Sequence, residues 1–315
     1  MSEISQILCV IDPTVEDQPA MRRAAWAAAN TGAELELFIC YYNEYLSGDR
    51  LFDSRSLATV RKEILDGYEK HLEALAAPLR ESGLAVRTLA IWDHPLYEGI
   101  VKHAAAIGAD LVFKDAHHHS AISRALLTNT DWSLIRTCAS PLWLVKGGDL
   151  PDKPVILAAI DPMNEHDKPA ALDDEILVLS KQLAAASNAE VRVFHSYDPR
   201  VAISTATANA YIPVSLPFEE IEKQMRQQHE KRFNEIVRFH EIEPKHTHLV
   251  AGLVHEELPA LAAELNALVV VMGAVARNPL KRLFVGSTAE RTLGQLPCDM
   301  LIVKPAWFHS AVSGT

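Results

Sequence analysis

One strand signature occurs twice in this chain, and it restricts the fold more than any other feature. Gln6-Ile7-Leu8-Cys9-Val10-Ile11-Asp12-Pro13 opens the first half, and Val155-Ile156-Leu157-Ala158-Ala159-Ile160-Asp161-Pro162 opens the second. Both runs are apolar at consecutive positions, as in a parallel strand buried on both faces, and both stop at Asp-Pro. Each leads through an acidic loop into an Ala-rich helix (18–30 and 169–187) and then a second strand (34–42 and 190–197). Long polar helices are predicted over 56–81 and 219–239, with strands after them at 86–92 and 246–251. Further strands follow at 111–114 and 268–272. Each half closes with a helix and a final strand, Leu142 to Val145 and Leu301 to Val303.

Strands alternating with helices twice over predict an α/β chain of two tandem, doubly wound parallel five-stranded sheets of Rossmann-like type, each in the order 3-2-1-4-5. The stretch from Lys146 to Pro154 is polar and rich in Gly and Pro, and reads as a linker. It divides the chain into domains at 1–148 and 149–315, the second with a short tail after Pro305. In that strand order both final strands lie at sheet edges, where an apolar strand is a pairing hazard unless covered.

The chemistry concentrates between Ala267 and Pro305. A buried strand stops at Gly273; two residues later comes Ala276, and nine residues after that Gly286-Ser287-Thr288, where a helix begins. Glycine lets the backbone approach a ligand closely. The hydroxyls of Ser287 and Thr288 and the first N–H groups of the helix then converge, as at phosphate sites. Arg277, Lys281 and Arg282 add positive charge. On spacing alone the same residues serve equally to turn the chain and cap the helix.

This spacing resembles the G-x2-G-x9-G-[ST] nucleotide loop of the universal stress protein family. The likeness extends to the Val155–Asp161 strand, and through first-half stretches such as Asp110-Leu111-Val112-Phe113-Lys114 and Thr130-Asp131-Trp132 it covers nearly all of residues 5 to 305 in that family's tandem type. The resemblance implies an adenine-nucleotide fold. ATP or a related nucleotide would sit in the second half, with Gly273, Ala276, Arg277, Gly286, Ser287 and Thr288 at the phosphates and Asp161 on the ribose side. Ala276 stands where the family has its second glycine, so the affinity implied is modest. The resemblance also implies that the edge strands of the two halves pair within one chain, with a homodimer as a further form.

The halves act as controls for each other. In the first, the positions of the glycine loop are held by Asp115, His118 and Thr128-Asn129-Thr130, with no glycine among them. Carboxylates at Asp12 and Asp115, both at strand ends, would repel a triphosphate by several kcal/mol at low effective dielectric. No nucleotide is expected there.

Composition narrows the partners. The net charge of −11 argues against nucleic acid and anionic membranes, both of which require basic surface. No segment reaches the roughly 20 apolar residues of a spanning helix. The N-terminus has no secretory pattern, and four cysteines without a CxxC pair read as free thiols in a reducing cytoplasm. His117-His118-His119 suggests a metal, yet three consecutive imidazoles cannot all aim at one ion from an ordinary loop, and no metal is expected. The uncharged segment from Val201 to Pro217 reads as a pocket wall, a surface loop or a subunit contact.

No catalytic constellation stands out; ATP hydrolysis needs a metal and a positioned water, which no residues here specify, so at most weak hydrolysis is expected. The functional expectation is a cytoplasmic stress-response protein that binds a small ligand through a degenerate ATP-type pocket. The alternative is an interaction scaffold, or a binder of an apolar small molecule, in the same fold.

Overall fold

The computed structural model describes residues 3–47, 54–116, 127–163, 171–200, 217–274 and 287–312. The first half runs β1 (Gln6–Val10), α1 (Pro19–Thr31), β2 (Glu34–Tyr41), α2 (Ser54–Glu81), β3 (Val86–Trp92), α3 (Leu96–Ala106), β4 (Leu111–Asp115), α4 (Asn129–Thr137) and β5 (Leu142–Val145). The second continues with β6 (Val155–Ala159), α5 (Ala171–Ser187), β7 (Glu190–Tyr197), α6 (Phe218–Phe239), β8 (Thr247–Ala251), α7 (Val254–Glu264), β9 (Val269–Gly273), α8 (Ser287–Gln295) and β10 (Asp299–Val303). The α/β alternation read from the sequence is the architecture observed.

Packing divides the chain into two compact units, one of residues 2–152 with 299–315 and the other of residues 153–298. In the first unit the strands lie in the order β3-β2-β1-β4-β5-β10. All are parallel except β10, which runs antiparallel to β5 with Leu301 opposite Trp143. The second unit holds β9-β6-β7-β8, all parallel. The last strand of the second half therefore completes the sheet of the first unit.

A buried charge fixes β10 in that place. Asp299 is 1% exposed, and its Oδ2 accepts from Arg23 Nε of α1 at 2.8 Å and from Trp143 Nε1 of β5 at 3.0 Å. Its Oδ1 accepts from the Lys146 backbone N–H at 3.0 Å. Burial pushes the Asp299 carboxyl upward, and the guanidinium and these donors oppose that shift. Around this network the core is aromatic: Phe113 stacks on Trp143 at 5.0 Å, and Trp26 meets Trp143 edge-on at 6.4 Å.

The far edge of the first sheet is covered by side chains of α2. Glu69 Oε1 accepts from the Ala90 N–H at 2.5 Å and Arg80 Nε donates to the Val86 carbonyl at 2.9 Å, so β3 presents fewer open groups to another chain. Where α3 crosses β2, Gly99 leaves room that a side chain lacks: a Cβ there would lie 2.6 Å from Cys40 Sγ. Among the described residues no helix is long and apolar enough to cross a membrane. All four cysteines are free thiols; Cys9 and Cys138 are buried, Cys40 and Cys298 partly so, and burial pushes Cys40 and Cys138 up to about 12.

Candidate functional site

The carboxyl ends of parallel strands, where the strand order reverses, are where folds of this type take ligands. In the second unit β6 lies between β7 and β9, and Ala159 pairs with Met272. Asp161 and Gly273 therefore emerge at the same end of neighbouring strands. Asp161 is half-buried, Gly273 is the last residue of β9, and Ser287 and Thr288 open α8. Ala276, Arg277 and Gly286 lie outside the described residues, as do Lys281, Arg282, His117 to His119 and residues 201–216.

In the first unit the corresponding strand ends are already engaged. Asp115 Oδ1 accepts from the Ala20 N–H at the start of α1, at 2.8 Å. Asp12 Oδ1 accepts from Thr14 N and Oγ1 at 2.8 and 2.6 Å. At α4, Thr128 and Asp131 form a capping box: Asp131 Oδ2 accepts from Thr128 N and Oγ1, and Thr128 Oγ1 accepts from Asp131 N. Asp131 is wholly buried, and its Oδ1 lies 2.8 Å from Lys114 Nζ. The helix N-terminus, which would attract an anion, is thus filled by a carboxylate of the chain itself. Aligning β4 with β9 and α4 with α8 places Met272 at the position of Lys114 and Ala289 at that of Asp131. Neither can rebuild the pair.

The second unit instead places buried polar groups beside Asp161. On β7, Val193, His195 and Tyr197 alternate onto one buried face. On α6, His229, Phe233 and Val237 recur every fourth residue and form its buried stripe. These two surfaces meet: His195 Nε2 lies 2.7 Å from His229 Nδ1, and Tyr197 stacks on His229 at 4.8 Å. His195 Nδ1 lies 3.1 Å from the Ile160 carbonyl. A carbonyl only accepts, so Nδ1 carries the proton; in the neutral ring Nε2 then accepts, and His229 Nδ1 donates to it. The C-terminus of α6 is tied to α5 by His240 Nε2, 2.7 Å from Asp174 Oδ1.

A third buried group completes the surroundings. Asp173, in the first turn of α5 and 1% exposed, accepts from the Asp161 backbone N–H at 3.1 Å. The sequence reading identified neither Asp173 nor the two histidines. The available signal was a histidine in phase with the apolar positions Val191, Val193 and Tyr197 of a predicted strand, together with a second at the apolar spacing of the following helix. Among the described residues no three His, Cys, Asp or Glu side chains gather as metal donors.

Comparison with known proteins gives a consistent result across the chain. A model described as the Universal stress protein family matches residues 3–146 and again 155–304. Universal stress protein E of Salmonella typhi is 30% identical over 313 residues, covering 99% of this chain and 98% of its own. Universal stress protein E of Escherichia coli (strain K12) is 29% identical with the same coverage. A solved structure of a putative universal stress protein from Pseudomonas aeruginosa UCBPP-PA14 superposes with a TM-score of 0.72 at 25% identity, covering 96% of this chain and 94% of that one. A universal stress protein from Archaeoglobus fulgidus DSM 4304 shares the fold with a TM-score of 0.67 at 16% identity, covering 97% and 100%.

Proposed function

The chain belongs to the universal stress protein family, in its tandem form, and from that premise we propose that it is a cytoplasmic stress-response protein binding an adenine nucleotide in its second unit alone. Gly273, Ala276, Arg277, Gly286, Ser287 and Thr288 hold the phosphates, and Asp161 faces the sugar. The first unit is the structural partner that carries β10, and no catalytic step is assigned to either unit.

The observation that carries this reading is the contrast at the two helix starts. In the first unit Asp131 and Lys114 form a buried pair at the N-terminus of α4. A phosphate arriving there would have to displace a carboxylate already held by Thr128 and Lys114. Ala289 and Met272 leave the second unit without that internal anion, while Ser287, Thr288 and Arg277 supply hydroxyls and charge of the sign a phosphate requires.

Calorimetric titration of ATP tests the assignment. Gly286→Val should abolish binding and Thr128→Val should leave it unchanged. Ala276→Gly, which restores the family spacing, should tighten it. Weak, unchanged heats in wild type and all three variants would leave the scaffold or apolar-ligand reading in possession. Mass spectrometry of ligand released from protein purified without added nucleotide then identifies what the site carries.

A further inference from the structure

The Ile160–Asp161 peptide is held at both of its polar ends by buried side chains. Its carbonyl faces His195 Nδ1 at 3.1 Å, and its N–H donates to Asp173 Oδ1 at 3.1 Å. Both side chains are almost wholly buried, at 3% and 1% exposure, and His195 is backed by His229 at 2%. The Ile160 N–H is separately fixed to the Phe194 carbonyl at 3.0 Å, the ordinary parallel-strand bond, so the clamp begins where the sheet's own hydrogen bonding ends.

The first unit differs at the histidine position. Its Ile11 N–H makes the same bond to the Phe38 carbonyl, at 2.8 Å. Aligning β2 with β7, however, puts the apolar, fully buried Ile39 where His195 stands. Two buried histidines and a buried carboxylate are costly to place in a core unless each makes its hydrogen bonds. Here they surround one peptide, in the unit that retains the Gly-Ser-Thr cluster.

We propose that His195 and Asp173 are positioning residues of the ligand site: by clamping the Ile160–Asp161 peptide they fix the direction from which the Asp161 carboxylate meets the vicinal hydroxyls of a sugar-bearing ligand. His229 sets the tautomer of His195 that the clamp requires. This rests on the reading that the second unit takes a ribonucleotide. It adds that discrimination for the sugar hydroxyls is set by groups that never touch the ligand. A carboxylate held in place before binding loses less freedom when it engages a diol than one that must be ordered by it.

Two readouts test the clamp, one with ligand and one without. The first is the affinity ratio of ATP to 2′,3′-dideoxy-ATP, measured by calorimetry. A charge-assisted hydroxyl contact makes this ratio about tenfold or more in the wild type. The second is hydrogen exchange at the Asp161 amide in the ligand-free protein.

His195→Phe keeps the stacked ring and removes the donor, and Asp173→Leu removes the acceptor. Both should bring the ratio close to one and speed the Asp161 exchange by about tenfold or more, corresponding to the loss of one buried hydrogen bond. His195→Asn, whose amide nitrogen stands near the place of Nδ1, and Asp173→Asn, whose amide oxygen still accepts, should keep both readouts near wild type. Folded Phe and Leu variants with unchanged ratio and unchanged exchange overturn the proposal.

Should those two fail to fold, the Asn variants decide: a ratio near one in folded His195→Asn or Asp173→Asn protein sinks it. Failure of the wild type to bind ATP refutes the nucleotide reading and the sugar role with it. The exchange measurement still separates that result from absence of the clamp itself.

Discussion

Lys304 shows how far a single side chain can move from its behaviour in water. It follows β10, is 7% exposed, and its Nζ lies 4.9 Å over the ring of Phe308. Burial lowers its pKa to about 8, with the neighbouring Cys138 thiol opposing that shift. Because the unfolded lysine titrates near 10.4, the unfolded chain binds more protons between about pH 8 and pH 10. The cost of burying the charge is therefore present below pH 8 and is relieved as pH rises through that window.

Chemical denaturation of wild type and Lys304→Met from pH 7 to pH 10 checks this. The wild type should gain stability relative to the variant as pH rises. Taking the difference is essential, because the buried thiols Cys9 and Cys138, pushed upward, give the opposite slope. A difference that stays flat across the window refutes the shift.

At the scale of elements, β10 was read correctly as a strand and, through the family resemblance, as a partner of the other half's final strand: it pairs antiparallel with β5. Leu301 to Val303 announce a buried strand because they are apolar at consecutive positions, and the same pattern revealed the strands that open each half. Nothing in that pattern says which unit β10 packs in. The decision rests on Asp299, a charged residue just before the apolar run, and on its partners Arg23, Trp143 and Lys146, which are remote in sequence.

Long-range pairing of this kind has no local signature, and the same holds for His195 and His229, which read separately as unremarkable polar residues. By contrast, Asp161 and Gly273 were legible because their place at strand ends follows from the strand pattern itself. Asp299→Ala should destabilise the protein by about 3–5 kcal/mol, since it strands a buried guanidinium and leaves the Trp143 N–H without this acceptor. Urea unfolding measures the change. A loss below about 1 kcal/mol would show that β10 is held by its apolar face alone.

On the scale of the whole molecule, the duplication is regular in sequence and unequal in structure. The family pattern ends its second repeat at residue 304, while the compact unit containing the first half takes in residues 299–315. A chain cut in the linker would give a first fragment lacking its sixth strand and an exposed β5. Fragments 1–152 and 153–315 expressed together should copurify through β5 and β10, while 1–152 alone should aggregate. Light scattering after size exclusion distinguishes the outcomes, and two monomeric, non-interacting fragments would contradict the pairing.

The return of β10 to the first unit also sets a timetable for biosynthesis. β5 leaves the ribosome with its edge open and Arg23 without Asp299, and the strand that closes that edge follows only after residues 153–298. At elongation rates of about 5–20 residues per second, the intervening residues 153–298 take roughly seven to thirty seconds to synthesise. Through that interval the nascent first unit depends on whatever shields an unpaired strand edge. A message or ribosome that stops early yields a chain that can never close it. Synthesis from the N-terminus onward therefore leaves the first unit waiting for a strand encoded after the whole of the second, since residues 153–298 are made before its sixth strand exists.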